Sequence, residues 1–247
     1  MLSSPIQVLR ANQRTSPLPR HSRLVIAGAT GMLGHEVVRR LVGLRQFDTT
    51  QVLAREPIIA GLSGVATTVV PSDSPAQWRP ALADTGVVLF DPPRLFHDRE
   101  RALWTPRPDQ LLELARWMRR SGVATLVVVL PHAQGRLPEA LKRGLASLDE
   151  QAVAALGFER LLLIRSAQKP GAGRAPGLLA GLAHWMLSVF RYMVPASEQP
   201  VRAAKVAELL ATALQLAPPG IHIAAPELVW RAAQGDVREA ARQWLLP

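Results

Sequence analysis

Three glycines at three-residue spacing separate an apolar strand pattern from a helical pattern near the start of this 247-residue chain. They lie in the stretch LVIAGATGMLGHEVVRRL, residues 24–41. Such a turn lets the backbone approach a pyrophosphate, and the helix start offers free N–H groups and the positive end of its dipole. The pattern predicts a dinucleotide-binding turn, and its alternative is a tight strand–helix turn that holds no ligand. The residues predicted to contact the dinucleotide are Gly28, Thr30, Gly31, Met32, Leu33 and Gly34.

Charged residues follow the next three strand patterns, where parallel strands end at one edge of a sheet. Arg55 stands about twenty residues after the turn, where many NAD-binding domains place an acidic residue on the ribose. A guanidinium there favours the 2′-phosphate of NADP, whereas a register shifted by one residue presents Glu56 and favours NAD. Asp73 is predicted to accept from the adenine amine, or else to cap the helix that follows. Asp91, in FDPPR, is a candidate carboxylate base, and its alternative role is to end a strand before the two prolines.

Alternating strand and helix patterns would position these residues. Apolar strand patterns alternate with amphipathic helix patterns, and this order predicts an α/β fold with a doubly wound, Rossmann-like parallel sheet. The predicted strands begin with RLVIAGA and continue at 49–56, 65–73, 86–93, 123–131 and 158–167. A short helix is predicted after the third strand, and longer helices at 108–122 and 137–157.

The composition changes along the chain and predicts three regions. Residues 1–21 are predicted to be a disordered basic tail, with an organellar transit peptide as the alternative because the first acidic residue is Glu36. Residues 22–167 are predicted to form the Rossmann-like NAD(P)-binding domain. Residues 168–247 are predicted to form a small C-terminal helical cap over the carboxyl edge of the sheet.

An apolar stretch at 177–194 lies inside the predicted cap. Because His184 and Arg191 interrupt it, a buried or interfacial helix is expected rather than a membrane span. Its large side chains fit two roles: closing a pocket for an apolar small-molecule substrate, or forming a homodimer contact.

Composition excludes several classes of chemistry. The chain has no cysteine, so disulfides, thiolate nucleophiles and cysteine-ligated zinc are excluded. No His, Asp or Glu cluster has metal-binding spacing. The net charge is +10, but its arginines are scattered, which favours solvated helix faces over a nucleic-acid surface. The same positive field favours an anionic small molecule such as a phosphorylated cofactor. A cytoplasmic protein is expected.

The glycine turn and two later segments resemble the atypical or extended branch of the short-chain dehydrogenase/reductase superfamily. Within that branch, the chain resembles NAD(P)-binding proteins related to a human oxidoreductase-like tumour suppressor. AALGFERLLLIRSA is similar to a family segment that has proline at the position of Ser166, and VPASEQPVRAAKVAELLATAL is similar to a later stretch on the substrate side. The resemblance covers roughly residues 22–230 and is specific only at the turn. It implies a Rossmann-like fold and NADP binding, and it places Asp91 and Arg94 in the loop that covers the cofactor, with Asp91 as a cofactor-binding residue.

The resemblance also implies a catalytic Tyr-x-x-x-Lys pair with a nearby serine, and this chain departs from that pattern. Its one tyrosine, Tyr192, has no lysine four residues later. Alignment on LGFE places Lys142 at the tyrosine position and Ala146 at the lysine position, with Pro131 or His132 at the serine position.

Two residues are candidates to replace the missing catalytic groups. His132 could supply a proton near pH 7, and Lys142 could bind a phosphate or polarise a carbonyl; a loop histidine and a solvated lysine are the alternatives. Two functions therefore stay open. The first is an NADP-dependent oxidoreductase with non-standard catalytic residues, and the second is a non-enzymatic NADPH-binding sensor or scaffold. A third, a sugar-nucleotide epimerase, is disfavoured because that chemistry also relies on the missing tyrosine and lysine.

Overall fold

The computed structural model describes residues 22–58, 64–94, 97–130, 147–165 and 202–246. Its strands form one seven-stranded sheet in the order β3-β2-β1-β4-β5-β6-β7, and all six neighbouring pairs are parallel. This confirms the predicted doubly wound, Rossmann-like fold class. The strands are β1 (Arg23–Ala27), β2 (Thr49–Ala54), β3 (Val65–Val69), β4 (Thr85–Leu89), β5 (Thr125–Leu130), β6 (Arg160–Arg165) and β7 (Gly220–Ala224).

Helices of very different lengths connect the described strands. The short helix predicted after β3 is only a 3₁₀ turn, Pro75–Gln77, because Pro80 lacks the N–H group that a longer helix would need there. None of the described helices is long and apolar enough to span a membrane. The helices are α1 (Gly31–Gly43), α2 (Asp98–Arg101), α3 (Leu111–Arg120), α4 (Leu148–Ala154), α5 (Ala203–Leu216), α6 (Pro226–Gln234) and α7 (Val237–Leu245).

Both faces of the sheet are buried, as expected for parallel strands with helices on each side. Successive residues of β1 point to opposite faces: Leu24 and Ile26 join one core cluster, and Val25 joins the other. The first cluster includes buried residues of α1, α5, α6 and α7, and the second includes buried residues of α3 and α4. This packing fixes the carboxyl edge of β1, where the glycine turn begins.

The described part of the C-terminal region, residues 202–246, contains three helices and one strand, which confirms the expected C-terminal helices. Strand β7 pairs with β6 along 160–164 and extends the sheet, while Val206 and Leu210 of α5 join the core cluster that includes α1. The apolar edge of β6 gains a strand partner in this way, and α5 buries an apolar face that would otherwise meet water. The remaining part, 166–201, lies outside the described residues.

Candidate functional site

The glycine turn connects β1 to α1 at the carboxyl edge of the sheet. Gly28 has φ +81° and Gly31 has φ +70°, a region that L side chains rarely adopt. A Cβ at Gly28 would overlap the carbonyl oxygen of Leu89 on β4, and a Cβ at Gly34 would overlap the backbone of Ala29. The strand–helix connection therefore requires glycine at these positions whether or not a ligand binds.

Two carboxylates already pair with the N–H groups at the start of α1. The backbone N–H of Gly31 donates to Oε2 of Glu100 at 3.0 Å, and that of Leu33 donates to Oδ2 of Asp91 at 2.9 Å. Arg94 anchors Glu100 through its own backbone N–H at 2.8 Å and through Nε at 2.6 Å. The turn thus holds anionic oxygens, and these oxygens come from the chain itself.

The charge of Glu100 is maintained by these donors. Burial raises the pKa of its carboxyl, but the hydrogen bonds from Arg94 and from the Gly31 N–H outweigh burial and hold the pKa below its ordinary value. The side chain is therefore ionised at neutral pH, so the contact with the turn is a charged one.

The other predicted turn residues have different surroundings. Thr30 is fully buried, and its hydroxyl donates to the Asp91 carbonyl and lies 3.0 Å from the hydroxyl of Thr105. Leu33 packs partly against the core, whereas Met32 is 57% exposed. Because the Met32 side chain is exposed, the contact predicted between this residue and a dinucleotide would come from its backbone.

A short stretch of chain, residues 100–106, crosses the edge of the sheet beside the turn; we call it the covering segment. The N–H of Arg55 donates to the Ala102 carbonyl at 2.7 Å, and the N–H of Trp104 donates to the Leu53 carbonyl at 3.0 Å. The N–H of Gly28 donates to the Trp104 carbonyl at 3.2 Å. The covering segment is therefore tied by its backbone to the ends of both β1 and β2.

Arg55 and Asp73 come together at this edge, and Trp104 joins them. The Arg55 guanidinium lies 3.1 Å from Oδ1 of Asp73, and both side chains are about half exposed. The buried indole of Trp104 donates its Nε1–H to the same Asp73 oxygen at 3.2 Å. It also makes an edge-to-face contact with Trp78 at 4.8 Å. The two residues predicted for the adenosine half of the cofactor are thus paired with each other and with an indole.

Sequence reasoning missed Glu100 and Trp104, since the stretch from Arg94 to Pro106 has no clear strand or helix period. One signal was available: a large apolar side chain such as Trp104 is usually buried, which predicts that its segment packs against the core even without a strand or helix period. A further missed contact is the buried ion pair between Arg165, at the end of β6, and Glu150 of α4, with 2.8 Å between Nη2 and Oε2. It places a neutralised charge pair near the carboxyl edge.

The predicted catalytic candidates His132 and Lys142 lie outside the described residues, as do Tyr192 and the apolar stretch 177–194. Their roles, and a homodimer contact through 177–194, remain predictions from the sequence.

Comparisons with known proteins agree with the fold. No family model matches the sequence, and no curated protein matches it. A structure of MoeE5 in complex with UDP-glucuronic acid and NAD has a TM-score of 0.50 and 16% identity, covering 91% of this chain and 92% of that chain. UDP-N-acetylglucosamine 4-epimerase from Bacillus cereus has a TM-score of 0.46 and 16% identity, covering 86% and 82%. Gre2 from Candida albicans has a TM-score of 0.47 and 12% identity, covering 83% and 77%. At 16% identity, the likeness to the MoeE5 structure shows the Rossmann-like fold alone.

Proposed function

We propose that this chain is an NADP-binding protein of the atypical short-chain dehydrogenase/reductase type, in the group related to the oxidoreductase-like tumour suppressor. The carrying observation is the turn itself: the N–H groups of Gly31 and Leu33, two residues apart, hold anionic oxygens at the start of α1. In doubly wound folds this edge of the sheet is where nucleotides bind. A pyrophosphate offers the same kind of acceptor oxygens to the same donors.

The choice of NADP over NAD is supported by the position of Arg55. Its guanidinium is half exposed beyond the end of β2 and forms a surface ion pair with Asp73. An exposed ion pair of this kind contributes little, so a bound 2′-phosphate could take over the guanidinium. The net charge of +10 would also attract the more highly charged NADP.

Replacing Arg55 with alanine should weaken NADPH binding by about tenfold or more, because a hydrogen bond to a charged group contributes about 1.5–3 kcal/mol. Binding of NADH should change by less than about twofold to threefold, since NADH has no 2′-phosphate for Arg55 to contact. Isothermal titration with both nucleotides measures the two changes. Arg242→Ala, which removes a similarly exposed arginine from α7, serves as the matched control. Equal losses for NADPH and NADH would remove the basis for choosing NADP.

We further propose that the activity is a hydride transfer between NADPH and a carbonyl or quinone substrate, with His132 as the proton donor and Lys142 polarising the carbonyl. When bound, NADPH supplies the hydride; the residues of the chain bind it and provide the proton. A panel of aldehydes, ketones and quinones should reveal turnover that His132→Ala lowers by about 10²-fold or more, the low end for a general acid. Turnover that survives His132→Ala unchanged would rule out this assignment.

A second candidate function is a non-enzymatic sensor or scaffold that binds NADPH. It is favoured by the departure from the family's catalytic pattern, since the one tyrosine of the chain, Tyr192, has no lysine four residues later. NADPH binding without turnover on any member of the panel would select this candidate. No binding of either nucleotide would overturn both functions.

A further inference from the structure

We propose that the nucleotide site is occupied from within: Asp91 and the covering segment act as an intramolecular competitor, and nucleotide binds only when they leave the turn. This inference rests on the proposed nucleotide binding and adds its regulation.

The phosphate half is taken by carboxylates. The N–H groups of Gly31 and Leu33 point at Glu100 and Asp91, at 3.0 and 2.9 Å. A carboxylate and a phosphate present negatively charged oxygens to the same donors, and each N–H has only one hydrogen to donate. A pyrophosphate placed on this turn would need both donors, so it must displace both side chains.

The adenosine half is taken by an indole. Trp104 is a flat heteroaromatic ring whose N–H donates to Asp73 at 3.2 Å, which is the contact that the sequence predicted for the adenine amine. The ring is fully buried beside Trp78. Arg55 is held by the same Asp73 carboxylate at 3.1 Å. The indole therefore occupies the Asp73 carboxylate that would accept from adenine. Asp73 in turn occupies the Arg55 guanidinium that would bind the 2′-phosphate of NADP.

The covering segment is held by contacts of unequal strength. Its backbone is hydrogen-bonded to Leu53, Arg55 and Gly28, and its indole belongs to the core. Glu100, by contrast, is anchored mainly by Arg94, whose guanidinium is one-third exposed. If Glu100 leaves the turn, the same guanidinium is released next to the site, where it can contact an incoming phosphate. We infer that exchange begins at Glu100, and that Trp104 moves last.

Competition of this kind lowers the apparent affinity by the fraction of molecules whose site is open. Glu100→Gln removes the negative charge and places an amide N–H₂ among the donors of Gly31 and Arg94, so it disfavours the closed state. Isothermal titration of the full chain with NADPH should show Glu100→Gln binding about tenfold or more tightly than wild type. The matched control Glu239→Gln removes the same charge from the exposed surface of α7 and should bind as wild type does.

Asp91→Asn is the second variant, because Asp91 is less buried and its substitution disturbs the core less. It leaves the Leu33 N–H only a neutral amide oxygen as acceptor in place of a carboxylate, and it should also tighten NADPH binding, by a smaller factor. Inorganic pyrophosphate, titrated in parallel, probes the turn without the adenosine half and should follow the same order. Thermal unfolding verifies that each variant is folded.

Different binding results would overturn this inference and the proposed function. Tight NADPH binding by wild type, unchanged within about twofold in folded Glu100→Gln and Asp91→Asn, would overturn self-occupation and leave nucleotide binding intact. Absence of NADPH binding in wild type and in both folded variants would overturn the proposed function, and this inference with it.

Discussion

Replacing Trp104 with alanine is expected to lower the free energy of unfolding by about 3–5 kcal/mol, the usual cost of truncating a buried aromatic side chain. The indole is 0% exposed and contacts Trp78 edge-to-face, which in turn contacts Trp117 of α3. A cavity at this place would remove contacts from a three-ring cluster and loosen the covering segment at the same time. Equilibrium urea denaturation, with the fluorescence and far-UV signals compared, measures the change.

Two further substitutions separate packing from hydrogen bonding at this position. Trp104→Phe keeps most of the aromatic volume but loses the Nε1–H that donates to Asp73, so it should cost clearly less than alanine does. Trp230→Ala removes the same side chain from α6, where it is only partly buried, and should also cost less. A Trp104→Ala variant as stable as Trp230→Ala would show that the covering segment is not part of the core.

This packing gives the covering segment a structural role besides the occupation of the site. The free energy of unfolding of a native protein is only about 5–15 kcal/mol. Moving a segment that contributes a buried indole therefore costs a large part of the stability of the fold. Opening is therefore expected to begin in the phosphate half, where Glu100 and Asp91 leave the turn, and Trp104 is expected to leave the core last.

The fold was predictable because its information is local. Runs such as LVIA and TLVVVL, separated by amphipathic helices, indicate parallel strands without any knowledge of tertiary contacts. The extension of the sheet by β7 was harder to predict, because GIHIA reads equally well as an isolated strand of a cap. The partner of β7 depends on the free edge of β6, which exists only in the folded sheet.

The occupation of the site was not predictable from the same patterns. The contacts of Gly31 with Glu100 and of Leu33 with Asp91 join residues 69 and 58 positions apart, and no periodicity connects them. The motif predicted N–H donors for a dinucleotide, but it carried no information on the carboxylates that the folded chain presents to those donors. Asp91 illustrates this: its sequence position predicted a residue of the cofactor cleft, and the structure directs its carboxylate at the turn.

Replacing Gly28 with alanine is the second change with a large expected effect, a destabilisation of roughly 2–5 kcal/mol. Alanine is strained at φ +81°, and its Cβ would overlap the carbonyl oxygen of Leu89 on the neighbouring strand β4 and lie 3.0 Å from Pro106 of the covering segment. Since the carbonyl belongs to the backbone, relief requires β1 and β4 to move apart. The denaturation midpoint of the folded chain without nucleotide measures this cost.

Gly43→Ala is the matched control, because it adds the same methyl group at the last residue of α1, where no atom lies within 4 Å of the added Cβ. It should leave stability unchanged or raise it by up to about 1 kcal/mol, since alanine favours the helix. The comparison bears on how the glycine turn is interpreted. If Gly28→Ala unfolds as easily as predicted in the absence of nucleotide, the fold alone accounts for this glycine, and evidence for a cofactor must come from Arg55, Glu100 and Asp91. If Gly28→Ala is as stable as Gly43→Ala, the close approach of a ligand becomes the remaining reason for glycine at that position.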